Sequence, residues 1–136
     1  MTLLFVAMSE SIHTARWIRL IADRGWDLHV FPSVDHGCSH ESLRGVTLHH
    51  SVFGRPGTIG QVRARGVNVW DRRVAAVARL AITTLRTDFR ARQLARLIDR
   101  LRPDIVHSME FQAGGYLTLD AKARTRRPFP PWITTN

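Results

Sequence analysis

Asp104-Ile105-Val106-His107-Ser108-Met109-Glu110-Phe111-Gln112-Ala113-Gly114-Gly115 concentrates the side chains with the strongest claim to chemistry. Asp104 to His107 is a short apolar run with β-branched residues, the pattern of a covered parallel strand. The polar residues after it then fall at that strand's carboxyl end, where ligands bind in open α/β sheets. His107 there can serve as a general base or a hydrogen-bond donor, because an imidazole titrates near neutrality. Glu110 can pair with it or accept hydrogen bonds from hydroxyls, and Gly114-Gly115 can admit a ligand close to the backbone. The plainer reading is a strand-end histidine satisfied by its surroundings, with the glycines allowing tight packing. Residue types and spacing leave both open.

Other chemistry is excluded more firmly. Ser9-Glu10-Ser11-Ile12-His13, the first strand-to-helix turn, has none of the glycines that let a backbone approach a pyrophosphate, and Glu10 would repel a phosphate. No P-loop, Gly-x-Ser-x-Gly elbow or Asp-x-Asp pair occurs. The free N–H groups behind Ser11 can bind a hydroxyl-rich or anionic group, or Ser11 simply caps the helix. Asp35-His36-Gly37-Cys38-Ser39-His40 contains zinc-ligand types, with His49-His50 further on, but one cysteine does not make a paired site and a polar loop explains the stretch. No bound metal or other cofactor is expected.

The elements that must position these residues follow from periodicity. Leu3–Met8 reads as a central strand, His13–Arg24 as a helix with Trp17, Ile18, Ile21 and Ala22 on one face, and Gly25 as its stop. Ser11 or Thr14 caps that helix. Asp27–Pro32 reads as a second strand and Val46–His50 as a weaker third. Ser51–Gly66, with four glycines and a proline, reads as an irregular loop. Asp71–Leu101 has helical pattern with a phase slip near Thr87-Asp88-Phe89, so it is two helices or one bent helix, and Pro103 stops it. A helix over Ala113–Arg124 and a strand from Trp132 complete an α/β fold. The expectation is a three-layer Rossmann-like open parallel sheet with helices on both faces, in one domain over 1–136.

The chain has 136 residues, 44% hydrophobic and 8% aromatic, enough for a core. No apolar run reaches the roughly 20 residues needed to span a bilayer. Lone Cys38 fits a reducing compartment, so a cytoplasmic location is expected. Twenty basic residues against eleven acidic ones give a net charge of +9, and nineteen of the twenty are arginine. Such an excess favours anionic partners. The segment from Arg72 to Arg102 sets Arg79, Arg86, Arg90, Arg92, Arg96 and Arg100 beside an apolar stripe; it is either a solvated helix face or a surface for anionic lipid, nucleic acid or an acceptor phosphate. No helix-turn-helix, zinc-finger or RRM signature accompanies it, so nucleic acid is disfavoured.

The whole chain resembles the family 4-like, Rossmann-like N-terminal domain of GT-B glycosyltransferases. The residues that carry the resemblance are Leu3-Leu-Phe-Val-Ala7, Ser11-Ile-His-Thr-Ala-Arg-Trp17, Leu20-Ile-Ala-Asp-Arg-Gly25 with Asp27-Leu-His-Val30, Leu97-Ile-Asp-Arg-Leu-Arg-Pro-Asp-Ile-Val-His107, and Pro131-Trp-Ile-Thr-Thr135. The resemblance implies metal-independent transfer of a sugar from a nucleotide-sugar donor to an acceptor, with the N-terminal half on the acceptor side. It makes His107 the candidate catalytic residue. Glu110, Gln112, Gly114 and Gly115 become acceptor-binding residues, and Ser9, Glu10, Ser11 and His13 the first-turn wall facing the donor. Members often carry His-x-His after this strand, where the second position here is Met109. The donor-binding C-terminal domain of such enzymes has no counterpart within these residues, and the closing strand is cut before its usual turn. A truncated, incomplete domain with little activity alone is therefore expected. A lipid-linked acceptor would bring the basic segment against the inner face of a membrane. The alternative is a non-enzymatic α/β module whose arginine surface binds nucleic acid or a protein.

Overall fold

The computed structural model describes residues 1–53, 57–59, 62–67, 73–74, 77, 81 and 88–135, with 51–53, 57–59 and 62–67 described by their backbone. Its centre is β1 (Thr2–Ala7), whose Leu3–Ala7 are all buried. A strand with water on neither face has no reason to alternate polar and apolar residues, and this one does not. Its side chains alternate between two cores. Leu3 and Phe5 enter one with Leu28 and Val30 of β2 (Asp27–Pro32) and Val46 and Leu48 of β3 (Val46–Phe53). Leu4 and Val6 enter the other with Phe31 and with Val106 of β6 (Ile105–Ser108).

Helix α1 (Ile12–Arg19) covers the first core with Ala15 and Ile18. Helix α2 (Phe89–Leu101) covers the second with Leu94, Ala95, Leu97 and Ile98, joined by Ala121 of α3 (Tyr116–Lys122). Full burial of a side chain such as Ile18 or Leu94 stabilises by about 1.5–3 kcal/mol. The three-layer α/β expectation is met, with helices on both faces of the sheet.

Among the described residues the sheet has seven strands in the order β4-β5-β3-β2-β1-β6-β7, where β4 is Gly57–Ile59, β5 Val62–Val67 and β7 Trp132–Thr134. Of the pairs these strands make, β4–β5 is antiparallel and the others are parallel. After β2 and β3 extend the sheet to one side of β1, the chain returns to place β6 and β7 on the other. The β1–β6 boundary is thus a topological switch point, which opens a crevice at the carboxyl ends of the strands.

Three local expectations change. The loop read over Ser51–Gly66 contains the end of β3, all of β4 and most of β5. β5 pairs with β3 across some distance in sequence, as Thr47 with Arg63, while β4 pairs with β5 as a short hairpin, Ile59 with Val62; the glycines and proline of the stretch concealed both. The helix read over His13–Arg24 ends at Arg19, because Leu20 and Ile21 N–H bond to Trp17 and Ile18 carbonyls three residues back, and a 3₁₀ turn follows at Ala22–Arg24. Gly25 closes it in the left-handed region, φ 70°. The helix expected from Ala113 starts earlier, as a π-helical turn over Phe111–Gly115. The start of α2 at Phe89 agrees with the phase slip read near Thr87-Asp88-Phe89; most of the stretch before it lies outside the described residues. Among the described residues no helix is long and apolar enough to cross a membrane.

Candidate functional site

The register of β6 sets His107 beside Phe5 of β1 on one side and Ile133 of β7 on the other. Its ring lies 5.5 Å from that of Phe5 and meets the edge of Trp17 at 5.8 Å and 89°. Trp17 itself is half exposed, 48%. His107 Nε2 is 3.0 Å from Thr135 Oγ1, just past β7. Burial pushes this imidazole below its ordinary value, because desolvation penalises the charged form. At neutral pH the ring is therefore uncharged, the state that can accept a proton.

Glu110 does not pair with His107. Its carboxylate accepts a hydrogen bond from the Ser33 hydroxyl at the end of β2, spanning the carboxyl end of β1. Ser33 is held in turn by its N–H to Ala7 O, 2.9 Å, and by Arg90. The Arg90 guanidinium donates to the carbonyls of Pro32 and Ser33 and lies over the Phe31 ring at 5.6 Å. Arg90 was expected on an outward basic face; the first turn of α2 directs it inward instead. Burial lowers its pKa, with Asp35 nearby acting in the opposite direction. An arginine remains charged under such a shift, so it acts here as a permanent clamp on the β2 end.

The π-helical turn brings Gly114 against β1. A Cβ at Gly114 would stand 2.8 Å from Val6 O and 3.3 Å from Glu110 Cγ, so only glycine fits without displacement. Gly115 is looser, with its nearest such contact 3.5 Å away, and its N–H bonds to Glu110 O at 2.8 Å. The glycines here let the backbone of the turn approach the strand. Gln112 is exposed on the same turn.

Across the crevice, the first turn is tied to the loop after β2. Ser9, fully buried, donates from Oγ to Cys38 O at 2.7 Å, and its own carbonyl accepts His40 N–H at 2.8 Å. Glu10 pairs with His36 Nδ1 at 2.5 Å. Ser11, rather than Thr14, caps α1 by accepting His13 N–H at 3.2 Å, while His13 is exposed. The residues with zinc-ligand chemistry are spread among separate partners: His36 on Glu10, His50 on Asp35 at 2.8 Å, and His40 Nδ1 accepting Ser42 N–H. Among the described residues no three such side chains converge on one point. Ser108 is buried between Thr118 Oγ1 and the Trp132 indole N–H, in no position to act as a nucleophile.

The structure thus gathers Ser9, Glu10, Ser11, Glu110 and Gly114 around the carboxyl end of β1, and sets His107 apart beneath Trp17. Sequence reasoning missed Ser33, Arg90 and Thr135 as neighbours of these groups, and treated Trp17 as core. Trp17 shares a helical face with buried Ile18 in sequence, and only the structure shows it to be half exposed. Ser33 and Thr135 are brought in by strands paired from far along the chain, and Arg90 by the packing of α2 on the sheet.

A family model described as glycosyl transferase 4-like matches residues 2–136. No curated protein and no solved structure matches the chain.

Proposed function

The chain belongs to the glycosyl transferase 4-like family, and on that premise we propose that it forms the acceptor-side part of a glycosyltransferase using a nucleotide-sugar donor. The reading is carried by one juxtaposition: an uncharged, buried imidazole, His107, under the half-exposed indole of Trp17. The indole offers an apolar face to a pyranose ring. His107 accepts the proton of the acceptor hydroxyl as its oxygen bonds to the anomeric carbon and the bond to the nucleotide phosphate breaks. Thr135 holds the ring in position. Glu110 and Gln112 offer hydrogen bonds to further hydroxyls, and Gly114 and Gly115 keep the turn low enough for the acceptor to approach.

The donor's phosphates are bound elsewhere in this scheme, by a second domain or chain. The glycine-free first turn carries Glu10 and is braced by Ser9 and His36, so it suits a wall better than a phosphate cradle. No resident metal or cofactor is required of the chain's own residues.

Saturation-transfer NMR of the 136-residue chain with simple glycosides and with nucleotide sugars tests this. Glycosides should receive saturation that fades in Trp17→Ala, and nucleotide sugars should not be consumed. Sustained turnover of a nucleotide sugar by the chain alone would refute the division of labour; absence of any glycoside contact would refute the acceptor role.

A further inference from the structure

On the opposite face of the sheet from α1, a cavity of about 290 Å³ opens between β3 and α2. From the helix it is lined by Gln93, Arg96, Leu97 and Arg100, the i, i+3, i+4, i+7 face; from the strands come Phe31, His49 and His50. Two features of this lining are unlike a packed interior.

The first is uncompensated positive charge. Arg96 and Arg100 are exposed and meet no carboxylate among the described residues. The acids of the same helix are committed elsewhere: Asp88 to Arg92 and Asp99 to the N–H of Arg126. The second is Gln93 Oε1, which is buried and has no hydrogen-bond partner among the described residues. Such an atom keeps its desolvation cost until a donor reaches it.

The two features call for complementary parts of one ligand. Two guanidinium groups one helical turn apart match the oxygens of a phosphate. An orphan carbonyl oxygen beside them calls for an O–H. We propose that this cavity binds a phosphate ester bearing a free hydroxyl, with Arg96 and Arg100 on the phosphate and Gln93 on the hydroxyl. Phe31 and Leu97 supply the apolar floor. The cavity is distinct from the strand-end crevice, and the proposal stands whether or not the acceptor reading holds. The same chemistry is presented by a soluble sugar phosphate and by a glycerophospholipid head group.

Glycerol 3-phosphate is the simplest probe, titrated calorimetrically into the full chain, with glycerol as the neutral control. Saturable binding is expected for the phosphate ester and none for glycerol. Arg96→Gln with Arg100→Gln should weaken it about ten-fold or more, since charge-assisted hydrogen bonds are among the strong ones. Gln93→Leu should weaken it while leaving inorganic phosphate binding unchanged, and thermal melts of both variants check that they fold. Co-sedimentation with phosphatidylcholine vesicles containing phosphatidylglycerol separates the sources. Pelleting that glycerol 3-phosphate competes away assigns the site to a lipid head group, and soluble binding without pelleting assigns it to a metabolite. Absence of saturable binding, binding indifferent to the arginine pair, or pelleting that the ester does not compete would each overturn the proposal.

Discussion

Replacing Gly114 by alanine isolates the close approach on which the crevice is built. The added methyl would meet Val6 O at 2.8 Å, and that oxygen belongs to the backbone of the central strand, so it cannot swing aside as a side chain does. Overpacking of this kind costs about 1–3 kcal/mol, and against a fixed carbonyl the upper end applies; alanine's better helical propensity returns about 1, leaving a net loss of roughly 2 kcal/mol. Gly115→Ala is the internal control. Gly115 has ordinary right-handed backbone angles, φ −64° and ψ −51°, and its Cβ would find its nearest neighbour at 3.5 Å. That substitution should be neutral or stabilise by up to about 1 kcal/mol. Urea unfolding followed by circular dichroism reads both. With a slope of about 1–3 kcal/mol per molar urea, Gly114→Ala should lower the midpoint by roughly 1 M while Gly115→Ala leaves it or raises it. The methyl would also press on Glu110 Cγ at 3.3 Å, so the chemical shifts of Ser33 should move in the first variant and not in the second. Equal stability of Gly114→Ala and the parent, or equal losses in both variants, would refute the close-approach account.

His107 makes stability depend on pH. Its folded pKa lies below the ordinary 6.5, so the unfolded chain binds more protons as pH falls through 6.5, and the His107 contribution is complete above that value and declines below it. Urea midpoints from pH 8 to 5 should show a decline that is shallower in His107→Gln; identical profiles would contradict the assignment. Arg90→Met retains some contact with Phe31 but leaves the Pro32 and Ser33 carbonyls without their donor, and should cost about 1–3 kcal/mol in the same assay. Ser11→Ala removes the cap of α1 and should cost about 0.5–2 kcal/mol, with faster amide exchange at His13 as the local sign.

Much of this molecule was legible before folding because the physics involved is local. An unbroken apolar run declares a strand covered on both faces, as β1 is. A serine ahead of a helix and a proline after one mark helix ends by backbone chemistry alone, as Ser11 and Pro103 do here, and Gly25 marks the end of the 3₁₀ turn that follows α1. The position of His107 and Glu110 at a strand end followed from the same reasoning. What they touch did not. His107 is hydrogen-bonded to Thr135, 28 residues on, and Glu110 is engaged by Ser33, 77 residues back. Arg90 is turned inward by carbonyls nearly sixty residues earlier in the chain, and β5 forms on the edge that β3 offers, with β4 paired to β5 in turn. Local pattern determines which elements form, since propensity and capping act over a few residues. Partners, burial and charge state belong to the tertiary structure, because hydrogen bonding and desolvation depend on what the sheet brings together from far along the chain.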